Sequence, residues 1–567
     1  MDRVERLKLL AHIARWRLTW SVHDSAYRPA DLPSPRFVSA QQAAELIADR
    51  AVVLSCGMAG NARCSSFFWA IRERFLRENH PRGLTWVTVG AQGGRDQAPG
   101  TVEELALVGL LHRYIAGHLE TAKTLLRLAD AGQIELYTLP QGVMAQLLAA
   151  QGRGEDSLRM TVGVGTFLDP RCGRGAAVTP TSEDEFVAVA GDELVFRLPP
   201  IDICLFNAPY ADVDGNIYFR HAATITENIQ GAAAARRNGG LVMATVSSII
   251  PRDDGAISMH AAQVDRIVVN PQNEQTGGVP QRSFWPMFTV GAREDETAAL
   301  ERLRFINSVL HATPARDAAD EALARLAASL FVRVAPSAGI IAAAGGFPED
   351  VVRVLIDQEL GHNYTFTTET GVYGGLPAPG VFFGAAINPT RMEPSSWMFD
   401  LYAERLAVAV QGFLQVDAAG NVNVSKRGPR IVDYSGPGSL PDIAASANTV
   451  IFVGAWMAQA SVVVDKGALN IKKAGKPKFV GAVDEITLSG SESLRQGKQV
   501  YFVTHVGIFQ LTARGLTLIE VMPGVDIARD ILSNQAPRIV LPEDGRVRVA
   551  DASIVTGHGF RLPMKRG

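Results

Sequence analysis

The stretch LFNAPYADVDGNIYF, residues 205–219, runs from an apolar segment through an aspartate to Gly215-Asn216 and into a second apolar segment. Residues 410–424, VQGFLQVDAAGNVNV, do the same around Gly420-Asn421. Roughly thirty residues after each comes a run of the kind buried in a sheet, GLVMATV at 240–246 and TVIFVGA at 449–455. A single Asp-Gly-Asn turn is common hairpin chemistry. The same order at the same spacing, met twice, points to duplication of one α/β unit.

Working outward, strand and helix patterns alternate. RAVVLSCG (50–57) is a short apolar run, and CSSFFWAIRERFLRE (64–78) has helical spacing. LTWVTVGAQGG (84–94) repeats strand-then-glycine, TAKTLLRLADAG (121–132) is helical with Gly132 at its C-terminal end, and IELYTLPQGV (134–143) is a strand entering a turn. Strand, glycine-rich turn and helix in repetition mean an α/β chain. The expected fold is two similar open α/β domains from an internal duplication, each with a largely parallel sheet. Residues 1–37 read as a helical extension, 38–292 as the first domain, 293–314 as a charged helical linker with Pro314 as its break, and 315–567 as the second domain. In the extension, Leu7, Leu10, Ile13 and Trp16 stand near helical spacing, which suits packing on the protein or on a partner subunit.

The bulk numbers exclude several classes. At 567 residues the chain can fill more than one core, and 20% charged with 47% hydrophobic residues is a globular balance. A formal charge of −3 creates no field for nucleic acid or an anionic membrane. Four cysteines form no disulfide framework and suggest a reducing compartment; Cys56 and Cys64 read as packed small residues. No cysteine, histidine or carboxylate spacing suggests a metal, no apolar run is long enough to span a bilayer, and the N-terminus lacks a signal-peptide core, so a cytoplasmic protein is expected. Lys472, Lys473, Lys476 and Lys478 cluster, either as a solvated hairpin tip or as a basic rim for a phosphorylated ligand.

One acid stands apart. In FTTETGVYGG (366–375) Glu369 lies between threonines, just past a period-two strand and before Gly371, Gly374 and Gly375. That is the strand end at which open α/β sheets bind ligands. The glycines allow close backbone approach to a ligand and expose N–H groups to it. Such a carboxylate can be a general base, a metal ligand or a nucleophile; the competing reading is an ordinary loop glutamate. Companion acids for a metal are absent, as are a nucleophile elbow and a Cys/His arrangement that a general base would serve. A nucleophilic glutamate needs an electrophilic carbonyl within reach and donors for the oxyanion, both compatible with this turn.

The blocks TTETGVYGG, GVFFGAAINP (380–389), WMFDLY (397–402), LQVDAAGNVNVSK (414–426) and LIEVMPGVDIARDIL (518–532) resemble, in that order, the long single-chain family I coenzyme A transferases of the acetate/propionate type. LPQGVMAQLL (139–148) and GVGTFLDPR (163–171) are similar to that family's N-terminal domain. The resemblance implies that Glu369 is the nucleophile of a ping-pong CoA transfer between a short-chain acyl-CoA and a small carboxylic acid. It also implies CoA as substrate and covalent intermediate, no permanently bound cofactor, and a homo-oligomer, dimer or tetramer. Gln141, Gly142, Gly371, Gly374, Gly375, Asn388, Gly436 and Gly438 become the expected CoA- and substrate-binding residues, Asn388 as an oxyanion donor and the last two through their backbone N–H groups. Two stretches depart from the family: Ala403-Glu404-Arg405-Leu406-Ala407 replaces a glycine run, and SGPGSLPD (435–442) replaces a glycine turn. They keep open a CoA-ester hydrolase with Glu369 as general base, or a non-catalytic acyl-CoA-binding subunit.

Overall fold

Apolar runs without polar alternation form strands covered on both faces, and such strands build the first sheet. The computed structural model describes residues 1–32, 34–96, 98–183, 185–534 and 537–563. Strands β1 (Phe37–Val38), β2 (Val52–Ser55), β3 (Leu84–Thr88), β4 (Leu111–Ala116), β5 (Glu135–Thr138), β6 (Ile203–Ala211), β7 (Leu241–Ile249) and β8 (Arg266–Val269) lie in the order β1-β8-β7-β6-β2-β3-β4-β5. Every neighbouring pair among them is parallel.

The second sheet has a parallel centre of β9 (Ile340–Ala343), β10 (Thr365–Thr367), β11 (Leu406–Gln411), β12 (Thr449–Val453) and β13 (Gln499–Thr504), ordered β10-β9-β11-β12-β13. Beyond β13, strands β14 (Gly507–Thr512) and β15 (Gly515–Val521) continue it antiparallel. The duplicated motif is visible in detail. Asp212 Oδ1 accepts the Asn216 N–H at 2.9 Å, and Asp417 Oδ1 accepts the Asn421 N–H at 3.0 Å. Each asparagine amide then returns to the other oxygen of its aspartate, at 2.8 and 3.0 Å.

The helices that matter are α1 (Arg3–Thr19), α2 (Ser65–Glu78), α3 (Gln141–Arg153), α4 (Asn228–Arg237), α5 (Glu296–Leu310), α6 (Ala318–Val334), α7 (Ser395–Arg405) and α8 (Leu440–Ser446). Successive residues of β2 point to opposite faces, Val53 toward Phe67 and Phe68 of α2 and Leu54 toward the side of α3 and α4. On that second side the core does not stop. Val143, Met144 and Leu147 of α3 share one cluster with Phe399 and Tyr402 of α7, Ile443 of α8 and Phe452 of β12. The layers therefore run α2, first sheet, α3 and α4 against α7 and α8, second sheet, and finally α6, whose Leu323, Leu326 and Phe331 pack on the far face.

The N-terminal stretch is helical, but its buried face differs from the expected one. Leu9 and Ile13 are buried while Leu7 is 65% exposed and Leu10 partly so. The inward stripe runs through positions 9, 13 and 16, with Leu9 and Ile13 packed beside Leu300 and Leu303 of α5. After α5 the chain turns at His311, whose φ is +51°, and α6 starts at Ala318, so Pro314 lies between the two helices.

Candidate active site

Glu369 sits in the turn directly after β10, at the carboxyl end of a parallel strand. Its neighbours fix the turn. Thr368 and Thr370 both donate their hydroxyls to the Gly384 carbonyl, at 2.9 and 2.6 Å. From the first half, the Thr226 N–H donates to the Thr370 carbonyl at 3.2 Å. With both flanking side chains held on one side, the carboxylate is left half-buried on the wall of a cavity of about 1010 Å³. Burial pushes its pKa above the ordinary glutamate value, an effect the Ser439 hydroxyl and its own N–H partly offset. The Tyr402 phenol behind it is buried, and burial followed by the nearby Glu369 charge holds it well above the usual tyrosine range.

The cavity lies where the two halves meet, and a small backbone lattice closes the seam. Gly438 N–H donates to the Gly117 carbonyl at 2.9 Å, the Gln141 N–H to the Gly438 carbonyl at 3.0 Å, and the Leu119 N–H to the Ser435 carbonyl at 2.9 Å. Asp442, 4% exposed, accepts the N–H groups of Gly142 and Val143, each at 2.9 Å, at the start of α3. A carboxylate there satisfies two of the free donors of a helix N-terminus. Burial nevertheless pushes Asp442 up to about 7, with the two N–H bonds opposing and the Glu369 charge adding. Gly142 is required for this contact, because a Cβ there would stand 2.5 Å from the Asp442 Cγ and 2.6 Å from the Phe399 ring.

The expected site residues divide. Glu369, Gln141, Gly436 and Gly438 line the cavity. The Gln141 side-chain amide has no protein partner among the described residues, so its N–H₂ is available to a ligand. The N–H groups of Gly436 and Gly438 are not, since they bond the Ser425 and Gly117 carbonyls. Gly142 acts behind the wall, through Asp442. Gly371, Gly374 and Gly375 do not line the cavity; the close approach they permit is to the chain itself. At Gly371, with φ +101°, a Cβ would fall 1.7 Å from the Glu393 carbonyl oxygen. The Gly371 and Gly374 N–H groups bond the Thr368 and Phe366 carbonyls. Asn388 is also elsewhere: its amide grips Glu294 just before α5, through bonds of 3.0 and 2.9 Å, and offers nothing to an oxyanion.

Of the two departures, 403–407 joins α7 directly to β11 and stays off the cavity wall, whereas Ser435 to Leu440 form part of it. Lys472, Lys473 and Lys476 are exposed and outside the cavity, and Lys478 packs its ammonium 4.1 Å over the Phe413 ring. Reading the sequence alone missed Ser439, Asp442 and Tyr402. The one available signal was an acid inside the apolar segment SLPDIAAS, where a charge needs a structural partner.

A family model described as coenzyme A transferase matches residues 73–270. Caffeate CoA-transferase of Acetobacterium woodii is 32% identical over 513 residues, covering 88% of this chain and 93% of that protein. Acetate CoA-transferase YdiF of Escherichia coli K12 is 29% identical over 538 residues, covering 93% of this chain and 96% of the relative. The crystal structure of the acyl-CoA transferase YdiF apoenzyme from Escherichia coli O157:H7 covers 95% of this chain and 100% of its own, with a TM-score of 0.81 at 25% identity. The same enzyme as a thioester complex with CoA superposes with a TM-score of 0.80. With an α/β fold repeated in two halves, a carboxylate facing the cavity between them, and relatives aligned over nearly their whole length, the chain belongs to the family I coenzyme A transferases.

Proposed function

We propose that the protein moves CoA between an acyl-CoA and a carboxylic acid by a ping-pong cycle on Glu369. The observation that carries this reading is the pinned turn, which holds one carboxylate on the wall of a cavity large enough for an extended thioester. The Glu369 carboxylate attacks the thioester carbonyl; the C–S bond breaks, leaving a mixed anhydride and CoA thiolate. The thiolate attacks the glutamyl carbonyl, the anhydride C–O bond breaks, and the first acid leaves as its carboxylate. A second carboxylate attacks the resulting glutamyl-CoA thioester, and the two steps run in reverse to give the new acyl-CoA and free Glu369. The thioester bond energy is retained, so no nucleoside triphosphate is needed.

The surroundings suit each demand. A raised Glu369 pKa makes a more basic nucleophile, provided the pH keeps it ionised. The free Gln141 amide is the candidate donor for the oxyanion that forms as the thioester or anhydride is attacked. The Ser439 hydroxyl beside Glu369 can follow the carboxylate as its charge is lost and regained. The cycle also requires water to be kept from the anhydride, which hydrolysis would otherwise consume. Two of the relatives are named for caffeate and acetate, so the acceptor panel for testing should span short aliphatic and aromatic acids. The test is product analysis with acetyl-CoA as donor. A transferase forms the new acyl-CoA only when the acceptor acid is added, without net release of free CoA. Steady CoA release that ignores the acceptor would replace this reading with a hydrolase using Glu369 as general base.

A further inference from the structure

We propose that helix α1 is the subsite for the nucleotide end of CoA, Trp20 offering a ring face to the adenine, Trp16 backing it, and Arg15 and Arg17 countering its phosphates. This rests on the transferase reading of the cavity. The wall of that cavity includes His12, Arg15, Trp16, Arg17, Thr19 and Trp20, from α1 and its C-cap. The Arg17 guanidinium lies 5.2 Å from the Trp16 ring and 4.5 Å from the Trp20 ring, and the two indoles meet edge to face at 6.3 Å.

Charge bookkeeping separates these arginines from the other cations of the cavity. Arg63 pairs with Glu274 at 3.4 Å, and Arg95 and Arg427 share Glu120 at 3.6 and 3.0 Å. Arg15 and Arg17 are exposed and make no ion pair among the described residues. A cavity wall with two uncompensated guanidiniums beside two indoles matches an adenosine carrying a diphosphate and a 3′-phosphate. An acceptor acid brings one carboxylate, and that group must reach the Glu369 carbonyl. While Glu369 is held in place by Thr368, Thr370 and Gly384, helix α1 meets Glu274, Gly278, Trp285 and α5 among the described residues. It therefore faces the part of the donor farthest from the thioester.

The helix is also fixed well enough to serve. The Trp16 indole N–H donates to Glu274 at 2.9 Å, and its ring lies where a Cβ on Gly278 would come within 2.4 Å. Arg302 of α5 pairs with Glu5 at 3.1 Å. A remote handle of this kind lets binding of the nucleotide contribute to the transition state at the carbonyl.

The experiment compares an acyl-CoA with the same acyl group on pantetheine, which lacks the nucleotide, in wild type, Arg15→Ala, Arg17→Ala and Trp20→Ala. Because the three side chains lie at the surface, circular dichroism and Tm are expected to match wild type. The ratio of kcat/KM for acyl-CoA over acyl-pantetheine should fall at least tenfold in each variant. An unchanged ratio overturns the proposal, as does a loss that depends on the acceptor acid instead of the donor. Calorimetric binding of adenosine 3′,5′-bisphosphate supplies an arm that needs no turnover. Wild type should bind it, and Arg17→Ala should weaken that binding at least tenfold; absence of binding to wild type overturns the proposal. A wild type that binds the nucleotide but transfers nothing would count against the transferase reading alone.

Discussion

Glu369 stands on the cavity wall with its carboxyl raised above the ordinary glutamate value, chiefly by burial. Because the attacking form is ionised, kcat/KM for the acyl-CoA should rise with pH through an apparent midpoint above 4.5 and level off beyond it, which a pH–rate profile checks. Glu369→Gln keeps the volume and removes the nucleophile, so transfer should fall by on the order of 10³-fold or more, with no loss of Tm. This residue was legible in the sequence because its motif is local: a strand, an acid and a run of glycines. Asp442 was not, since its partner Gly142 lies 300 positions away and only the fold brings them together. Gly371, Gly374 and Gly375 were legible as special backbone but misassigned in purpose. Their missing side chains make room for the Glu393, Thr390 and Ile387 backbone and side chains, not for a ligand.

At the level of elements, the start of α3 and the turn before α8 form one unit across the seam. Gly142→Ala would drive a Cβ into Asp442 and Phe399, so it should destabilise the protein by about 1–3 kcal/mol and lower kcat through the displaced Gln141. Denaturant unfolding and steady-state rates on the same variant check both. Asp442→Asn tests the same contact more gently: an amide can accept from only one of the two N–H groups, and its N–H₂ would face the other donor. Strand and helix alternation and the Asp turns at 212 and 417 were readable, because periodicity and turn chemistry are properties of short segments. The inward face of α1 was not, since Leu7 and Leu9 are equally apolar and only the position of α5 selects between them.

For the whole molecule, the two sheets and the helices between them share a core, so the halves should unfold together. Buried acids within it make stability depend on pH. Glu227 is fully buried; its Oε1 accepts the Gly57 N–H at 2.8 Å, its Oε2 has no partner among the described residues, and burial pushes it up to about 7. A carboxyl with a raised folded pKa binds its proton more tightly when folded, so its contribution is present at low pH and is lost as pH rises from about 4.5 to about 7. Glu227→Gln cannot ionise, and its stability relative to wild type should therefore rise by about 3 kcal/mol between pH 4.5 and 7.5. Urea unfolding at several pH values reads this directly. The doubled architecture was visible in sequence as two similar stretches, whereas the cavity, which exists only where the halves meet, was not. The decisive measurement is trapping of the covalent cycle. The whole protein is incubated with acetyl-CoA, reduced with borohydride and digested, and the peptide containing Glu369 is weighed by mass spectrometry beside a Glu369→Ala control. Glu369 should carry a donor-dependent change, from reduction of its thioester to the alcohol, and the control none. An unmodified Glu369 in enzyme that is actively exchanging CoA would contradict the covalent cycle.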